Sequence, residues 1–495
     1  MHLKSNRLRI SLEFTPEQGP IHRKRIQYAF SLFCAIYGHK GVEAREPESA
    51  DFRISYASGN GNRSSKPCFQ LSNLYTCRSI REPAPSPTKF ERDSESTVLF
   101  YSPLPGSEPD WLAEIFEWVS CADEYSVTTR DSIGRIDFRD SYAGRHGLDI
   151  TVPYAAVAMR FLQRAICKCV ERLDAGEDAD QTHFIINSHD VDILPAGYLR
   201  SLQRVAKYSL VSLLVFKSPQ NAARQAGKAI SMALGDDNPL DQTPELLRRQ
   251  TESGVGGSYF FIARHAHRRD ANYRIDDPAV VDLMRTVEAH GMEVALHGSY
   301  TSLDSPSGLE FEFETLRQLR FYPRGNRQHW LRFTLEQLIP SVERTGALYD
   351  SSLGWDAMGF RAGACFAFPP YNFSCERPAT FIEIPLAIME QGMVTGGRPE
   401  TDWFDDAARV LANSRRFGWG GISLLWHPTA FGPSQLPREI ERIYWELIAR
   451  KQQWNDAWIS ALDFVNRISA RYIDAGLLPA TFASQAPNKF ITAHG

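Results

Sequence analysis

The chain has 495 residues and a mass of 56.0 kDa, too long for one compact core at roughly 150 residues per domain. Apolar residues at 43% and charged residues at 23% are ordinary globular usage and exclude a mainly disordered or collagen-like chain. Lys plus Arg at 55 against Asp plus Glu at 59 gives a net charge of -4, so no basic field points to a nucleic-acid partner.

The N-terminus, MHLKSNRLRISLEF, lacks the apolar core of a secretory leader, and no uninterrupted apolar stretch reaches about 18 residues. No transmembrane segment and a cytoplasmic location are therefore expected. Residues 58–87 are punctuated by Gly, Asn, Ser and Pro and read as short strands and loops. Residues 110–120 (DWLAEIFEWVS) have the apolar spacing of an amphipathic helix whose exposed side is acidic. A second helical run covers 154–173, with Cys167 and Cys169 read as buried small apolar residues. The eight cysteines are scattered without CxxC spacing, which predicts mostly free thiols. The acidic, aperiodic loop 174–182 (DAGEDADQT) predicts a domain boundary. It separates a smaller N-terminal α+β accessory domain, 1–174, from a second domain, 182–480. The first offers no motif; packing across its neighbour or building a homo-oligomer contact are its two readings.

After Thr182 strands and helices alternate. Residues 183–193 (HFIINSHDVDI), 257–264 (GSYFFIAR) and 292–299 (MEVALHGS) each begin apolar and end polar. A helix is expected at 277–290, with Pro278 in its first turn and Gly291 at its exit, and later strands at 347–353, 381–388 and 421–426. The run 437–472 reads as helix interrupted at Asn455 and Asp456, packed on the exterior. Repeated β-then-α units imply an α/β fold with a parallel sheet, open or closed as a barrel. Chemistry in such folds gathers at the C-terminal ends of the strands. That places His189, Asp190 and Asp192, then His297, Ser299 and Thr301, then Arg361, Glu383 and His427 around one pocket.

Asp190 and Asp192 are two apart, so an extended chain points both carboxylates to one side, where a cation or proton must separate them. One could bind metal while the other acts as a base. His297 and His427 each follow a short apolar strand and suit imidazole ligands, and Pro428 ends the second strand. Arg361, between glycines in GFRAG, could bring its guanidinium to Asp190. Glu383, inside an apolar strand, needs a partner or a pocket. Tyr300, Trp330, Trp355, Phe360 and Trp426 lie beside these positions, and flat aromatic faces suit sugar rings, Trp355 foremost.

In this order SHDVD, ALHGSYTS, YDSSLGWDAMGFRAGAC, FIEIPL and LLWHP resemble the five motifs of the polysaccharide deacetylase superfamily, also called NodB-homology or carbohydrate esterase family 4. NRQHWLRF followed by YDSSLG and GFRAG looks like a bacterial subgroup with an uncharacterised N-terminal domain. The resemblance implies a distorted (β/α) barrel of about seven strands. It implies Asp190 as catalytic base, Asp192 and His297 as ligands of a divalent metal, usually zinc, Arg361 as the group orienting the base, and His427 as acid. The family's second motif carries another His where this chain has Thr301, so His329 and His189 become candidate replacements, His329 ahead because a loop could bring it in.

The function implied is metal-dependent hydrolysis of an N-acetyl group on a sugar or glycan precursor, within glycan biosynthesis, with Tyr300, Trp355 and Glu383 toward the substrate. A hydrolase of another amide C–N bond, or an inactive carbohydrate-binding or assembly protein on the same fold, are the competing readings.

Overall fold

The computed structural model describes residues 8–14, 18–42, 50–56, 68–71, 79–92, 95–103, 108–170, 182–194, 198–214, 217–234, 242–418, 420–432 and 436–482. In the N-terminal part, β1 (Arg9–Glu13), β2 (Lys40–Val42), β3 (Phe52–Ser55) and β4 (Cys68–Gln70) form a parallel sheet in the order β2-β1-β3-β4. Parallel neighbours need a crossover, which the helix Pro20–Tyr37 supplies between β1 and β2. β5 (Thr88–Arg92) and β6 (Glu95–Leu99) add an antiparallel hairpin.

The helix expected at 110–120 is Trp111–Val119, started by Asp110, whose carboxylate accepts the Ala113 amide. Its acidic side is not exposed. Every residue of it is buried; Glu114 accepts the amides of Phe100 and Tyr101, and Glu117 accepts the Tyr101 hydroxyl. The helix is covered on both sides. Trp111 stacks on Phe161 of the helix Tyr154–Cys169 at 5.0 Å, and Phe116 meets Tyr371 edge-on, also at 5.0 Å. Burial pushes the Glu114 carboxyl well above its ordinary range. Cys34, Cys121, Cys365 and Cys375 are free thiols, and Cys169 is exposed rather than buried.

The larger part is built on β7 (His183–Val191), β8 (Ser258–Ile262), β9 (Glu293–Gly298), β10 (Gly325–Gln328) and β11 (Tyr349–Asp350), each parallel to the next. After a small hairpin, β12 (Tyr371–Asn372) with β13 (Arg377–Pro378), come β14 (Ile382–Glu383), β15 (Leu386–Met389), β16 (Gly420–Leu425) and β17 (Asp456–Ile459). β14 and β15 are two halves of one extended run that changes partner at Pro385. Ile384 donates to the Asp350 carbonyl on the β11 side, and Ser423 of β16 donates to the Pro385 carbonyl on the other. β14 pairs with β11, β15 with β16, and β16 with β7, so the chain closes on itself. Counting the broken run once, and β17 as a flank on the first half of β7, the nine-stranded sheet is a distorted ring of seven, as expected. Helices such as Pro278–Ala289, Leu335–Thr345 and Trp403–Phe417 lie between successive strands. The 437–472 run is helix Glu439–Ala449, then β17, then helix Ala461–Asp474; its interruption is a strand of the sheet. Among the described residues no helix is long and apolar enough to cross a membrane.

The boundary expected at 174–182 falls almost entirely on 171–181, outside the described residues. One continuous apolar core runs through both parts, from Ile10 and Phe33 to Phe464 and Tyr472. Polar contacts bind them too. The Tyr28 hydroxyl donates to the Pro369 carbonyl, and the buried Arg361 guanidinium makes two bonds to Glu124, at 2.9 and 2.6 Å.

Breaking a buried pair leaves an unmatched charge, so Arg361→Met or Glu124→Gln should each cost about 3–5 kcal/mol in equilibrium denaturation. The double variant Arg361→Met/Glu124→Gln should cost clearly less than the two singles together; strict additivity would show that the pair does not couple the two parts.

Candidate metal centre

Three strand ends build this site. β7 delivers Asp190 and, just beyond it, Asp192; β9 delivers His297; the turn after β10 delivers His329. The period of two puts both carboxylates on the same side. His297 Nε2 lies 3.4 Å from Asp190 Oδ2 and 3.4 Å from Asp192 Oδ1. His297 Nδ1 is 2.7 Å from the Arg327 carbonyl, which can only accept, so in the neutral ring the proton sits on Nδ1. A lone pair on Nε2 then faces two carboxylates, an arrangement that calls for a cation or proton between them.

His329 Nε2 lies 3.5 Å from Asp192 Oδ2, and its ring is 4.9 Å from that of His297. The turn presenting it holds Trp330 and Leu331 in the left-handed region, at φ 63° and 51°, uncommon for residues with side chains. One donor atom each from Asp192, His297 and His329 can be chosen so that all lie within 4.8 Å of one another. Asp192 Oδ1 and His329 Nδ1 are buried without a hydrogen-bond partner. One carboxylate and two imidazoles, with an unpaired oxygen among them, fit a divalent cation of the zinc type. Burial alone would raise the Asp192 carboxyl; the charge of His329, with hydrogen bonding from His297, His329 and His427, holds it well below its ordinary value.

Two further groups flank the cluster. Arg327, at the inner face of β10, places Nη1 2.8 Å from Asp190 Oδ1. Burial pushes the Asp190 carboxyl up, but His297 and Arg327 outweigh it and keep it ionised. His427, after β16, sets Nε2 3.4 Å from Asp192 Oδ2 and Nδ1 2.5 Å from Glu390 Oε1. Burial disfavours a charged His427; the Glu390 carboxylate overcomes this and, with Asp192, raises the imidazole well above its usual value.

Asp190, Asp192, His297, His329 and His427 therefore converge, while other expected positions do not. Arg361 turns away: it pairs with Glu124 and stacks on Trp355 at 4.2 Å, and Arg327 takes the place at Asp190. Glu383 sits on the outer side of the sheet, accepting the Leu353 amide beside Asp350, because its place in the alternation is that of Asn326 and not of Arg327. Each of those two carboxyls is raised by burial first, and Glu383 further by the charge of Asp350. Among the described residues Thr301 makes no side-chain hydrogen bond. His189 also faces outward, donating from Nδ1 to the Trp426 carbonyl and accepting from Gln250 at Nε2. Trp355, Phe360 and Trp426 are buried. Tyr300 stacks on His267 at 4.4 Å, and Trp330, beside His329, is 41% exposed. Arg327 and Glu390 escaped the sequence reading. Arg327 lies in GNRQ, a strand without an apolar run, although NRQHW had been noted; Glu390 opens the helix Glu390–Thr395 with no local signal.

No known protein-family profile matches the chain, and no curated protein matches it in sequence. Solved structures do resemble it. One, from Mycobacterium smegmatis and assigned as a polysaccharide deacetylase, is 18% identical with a TM-score of 0.37, over 59% of this chain and 91% of the other. The polysaccharide deacetylase Bc1974 of Bacillus cereus is 11% identical with a TM-score of 0.29, over 56% and 91%. The peptidoglycan deacetylase PdaC of Bacillus subtilis is 10% identical with a TM-score of 0.27, over 61% and 98%.

Metal titration of the purified chain tests the donor set. Asp192→Asn, His297→Ala and His329→Ala should each weaken zinc binding roughly 100-fold or more, and Thr301→Ala by less than about twofold. Unchanged affinity in His329→Ala would remove that residue from the set.

Proposed function

We propose that the chain is a metal-dependent hydrolase that removes the acetyl group from an N-acetylated sugar or glycan precursor. The observation that carries this reading is the meeting of the Asp192–His297–His329 donor set with an Arg-paired carboxylate on one side and a carboxylate-held imidazole on the other.

Asp192, His297 and His329 would hold the cation. When bound, a divalent metal supplies Lewis acidity, polarising a carbonyl and acidifying water. Asp190, kept ionised, is placed to accept the proton of the attacking water, and Arg327 is its positioning residue. His427, kept charged by Glu390, donates its Nε2 proton to the departing nitrogen. Amide and water become acetate and amine, and the proton taken by Asp190 balances the one given by His427. Arg361, expected as the group that orients the base, has no part in this scheme.

Trp330 offers an exposed aromatic face beside His329, with Arg269 over its ring at 5.4 Å, and suits a sugar better than the buried Trp355 does. A cytoplasmic chain would meet its substrate as a precursor or nucleotide-linked intermediate. The alternative of an inactive sugar-binding protein rested on the residue lost at Thr301; His329 supplies a donor in its stead.

Acetate release from N-acetylhexosamine oligomers should vanish with a chelator and return with zinc. Asp190→Asn and His427→Ala should each lower kcat by roughly 10²–10⁴-fold while retaining metal. A metal-loaded chain that binds these oligomers yet releases no acetate would favour the sugar-binding reading.

A further inference from the structure

Between β7 and β8 the crossover already has its helix, Thr243–Glu252, packed on the barrel through Leu246 and Leu247. Yet a second pair of helices, Tyr198–Leu214 and Pro219–Ala233, is inserted before it. The two pack mainly on each other around Val205 and Tyr208, a core separate from that of the barrel, and Asn221 ties them to the Leu436 carbonyl.

Their outer faces carry large apolar side chains in water: Leu210, Leu213 and Leu214 on the first helix, Ile230 on the second, and Leu234 just past its end. Leu214 is 73% exposed and Leu234 83%. Among the described barrel-covering helices only Phe311, on Gly308–Gln318, is comparably exposed. Of the exposed large apolar residues among those described, most belong to this one insertion.

Its charge is as unusual as its apolarity. In a chain with more acids than bases, every charged residue from 198 to 234 is a cation: Arg200, Arg204, Lys207, Lys217, Arg224 and Lys228. Lys207, Lys217 and Lys228 form no ion pair with a described residue. Lys207 lies one turn from Leu210, so a cation borders the first apolar stripe, and Lys228 adds an exposed cation on the second helix.

We propose that this helical hairpin is a membrane-association device, laying its leucines into the surface of an anionic phospholipid bilayer while its lysines and arginines meet the headgroups. Exposed leucine on helices whose own charges are all cations suits that surface. A second copy of the chain would bring like charges together, and a nucleic acid would engage the cations but leave the leucines in water.

Flotation of the full chain with vesicles tests this without any turnover, independently of the hydrolase reading. The chain should float with vesicles of phosphatidylcholine mixed with phosphatidylglycerol, stay behind with phosphatidylcholine alone, and be released by salt. Leu210→Ser/Leu214→Ser and, separately, Lys207→Glu/Lys228→Glu should each weaken vesicle affinity by roughly tenfold or more. Unchanged circular dichroism and unfolding midpoint show that those variants fold. The proposal is overturned if the parent chain ignores the mixed vesicles, or if both variants bind as it does. It is equally overturned if the chain is a dimer that Leu210→Ser/Leu214→Ser dissociates while vesicles stay bare, which would assign the face to a second copy.

Discussion

A full positive charge sits at the centre of the barrel. The Arg327 side chain has no exposed surface, and taking such an ion out of water costs several kcal/mol unless its hydrogens and charge are matched. Here the match comes from different strands: Asp190 from β7, the Ser351 carbonyl and hydroxyl after β11, and Ser423 from β16, with Phe260 of β8 under the guanidinium at 4.4 Å. These acceptors come together only when the ring is closed in register, and a slip of one residue on β10 would replace Arg327 with Asn326 or Gln328. The same residue's carbonyl fixes the His297 proton on Nδ1. One arginine thus both pairs with Asp190 and, through its carbonyl, directs the His297 lone pair.

What the sequence makes legible follows from this. β7, β8, β9 and β16 are apolar runs, since each buries most of its side chains, and their polar ends stood out against that background. β10 is equally buried but reads GNRQ, because Arg327 fills the barrel interior while Asn326 and Gln328 bond on the outer side to Asp350 and Ser302. Polar pairing replaced apolar burial there, and periodicity has no signal for it. Arg361 looked like the partner of Asp190 since the glycines around it promised a bend; in three dimensions its nearest carboxylate is Glu124, remote in sequence. The same blindness explains Glu114 and Glu117, whose apparent solvent face is covered by another part of the chain.

Carboxylates in this fold divide by the face of the sheet they occupy. Asp190 and Asp192, turned inward among imidazoles and a guanidinium, are held ionised. Asp350 and Glu383, one layer away on the outer side, are pushed toward the neutral form and hold a hydrogen-bonded pair beside the Leu353 amide. Face alone does not decide: Glu293 has the alternation of Ala295 and His297 yet, bonded to Ser258 and Tyr349, is raised by desolvation to about 7, as is the buried Glu312 on a helix outside the ring. The charged partners that meet a carboxylate, together with its face, turn one residue type into either a charged reagent or an uncharged structural donor.

β7 is held on one edge by β16 and on the other by β17 and β8, so two of its three neighbours come from residues 420–459. During synthesis the strand bearing both aspartates emerges long before those partners exist. Its edge stays unpaired while more than half of the barrel is being translated, and the ring cannot close around Arg327 until β16 arrives. The arrival of β16, not local helix or hairpin formation, is then the event that lets this ring close, and until then the exposed edge of β7 is open to pairing elsewhere.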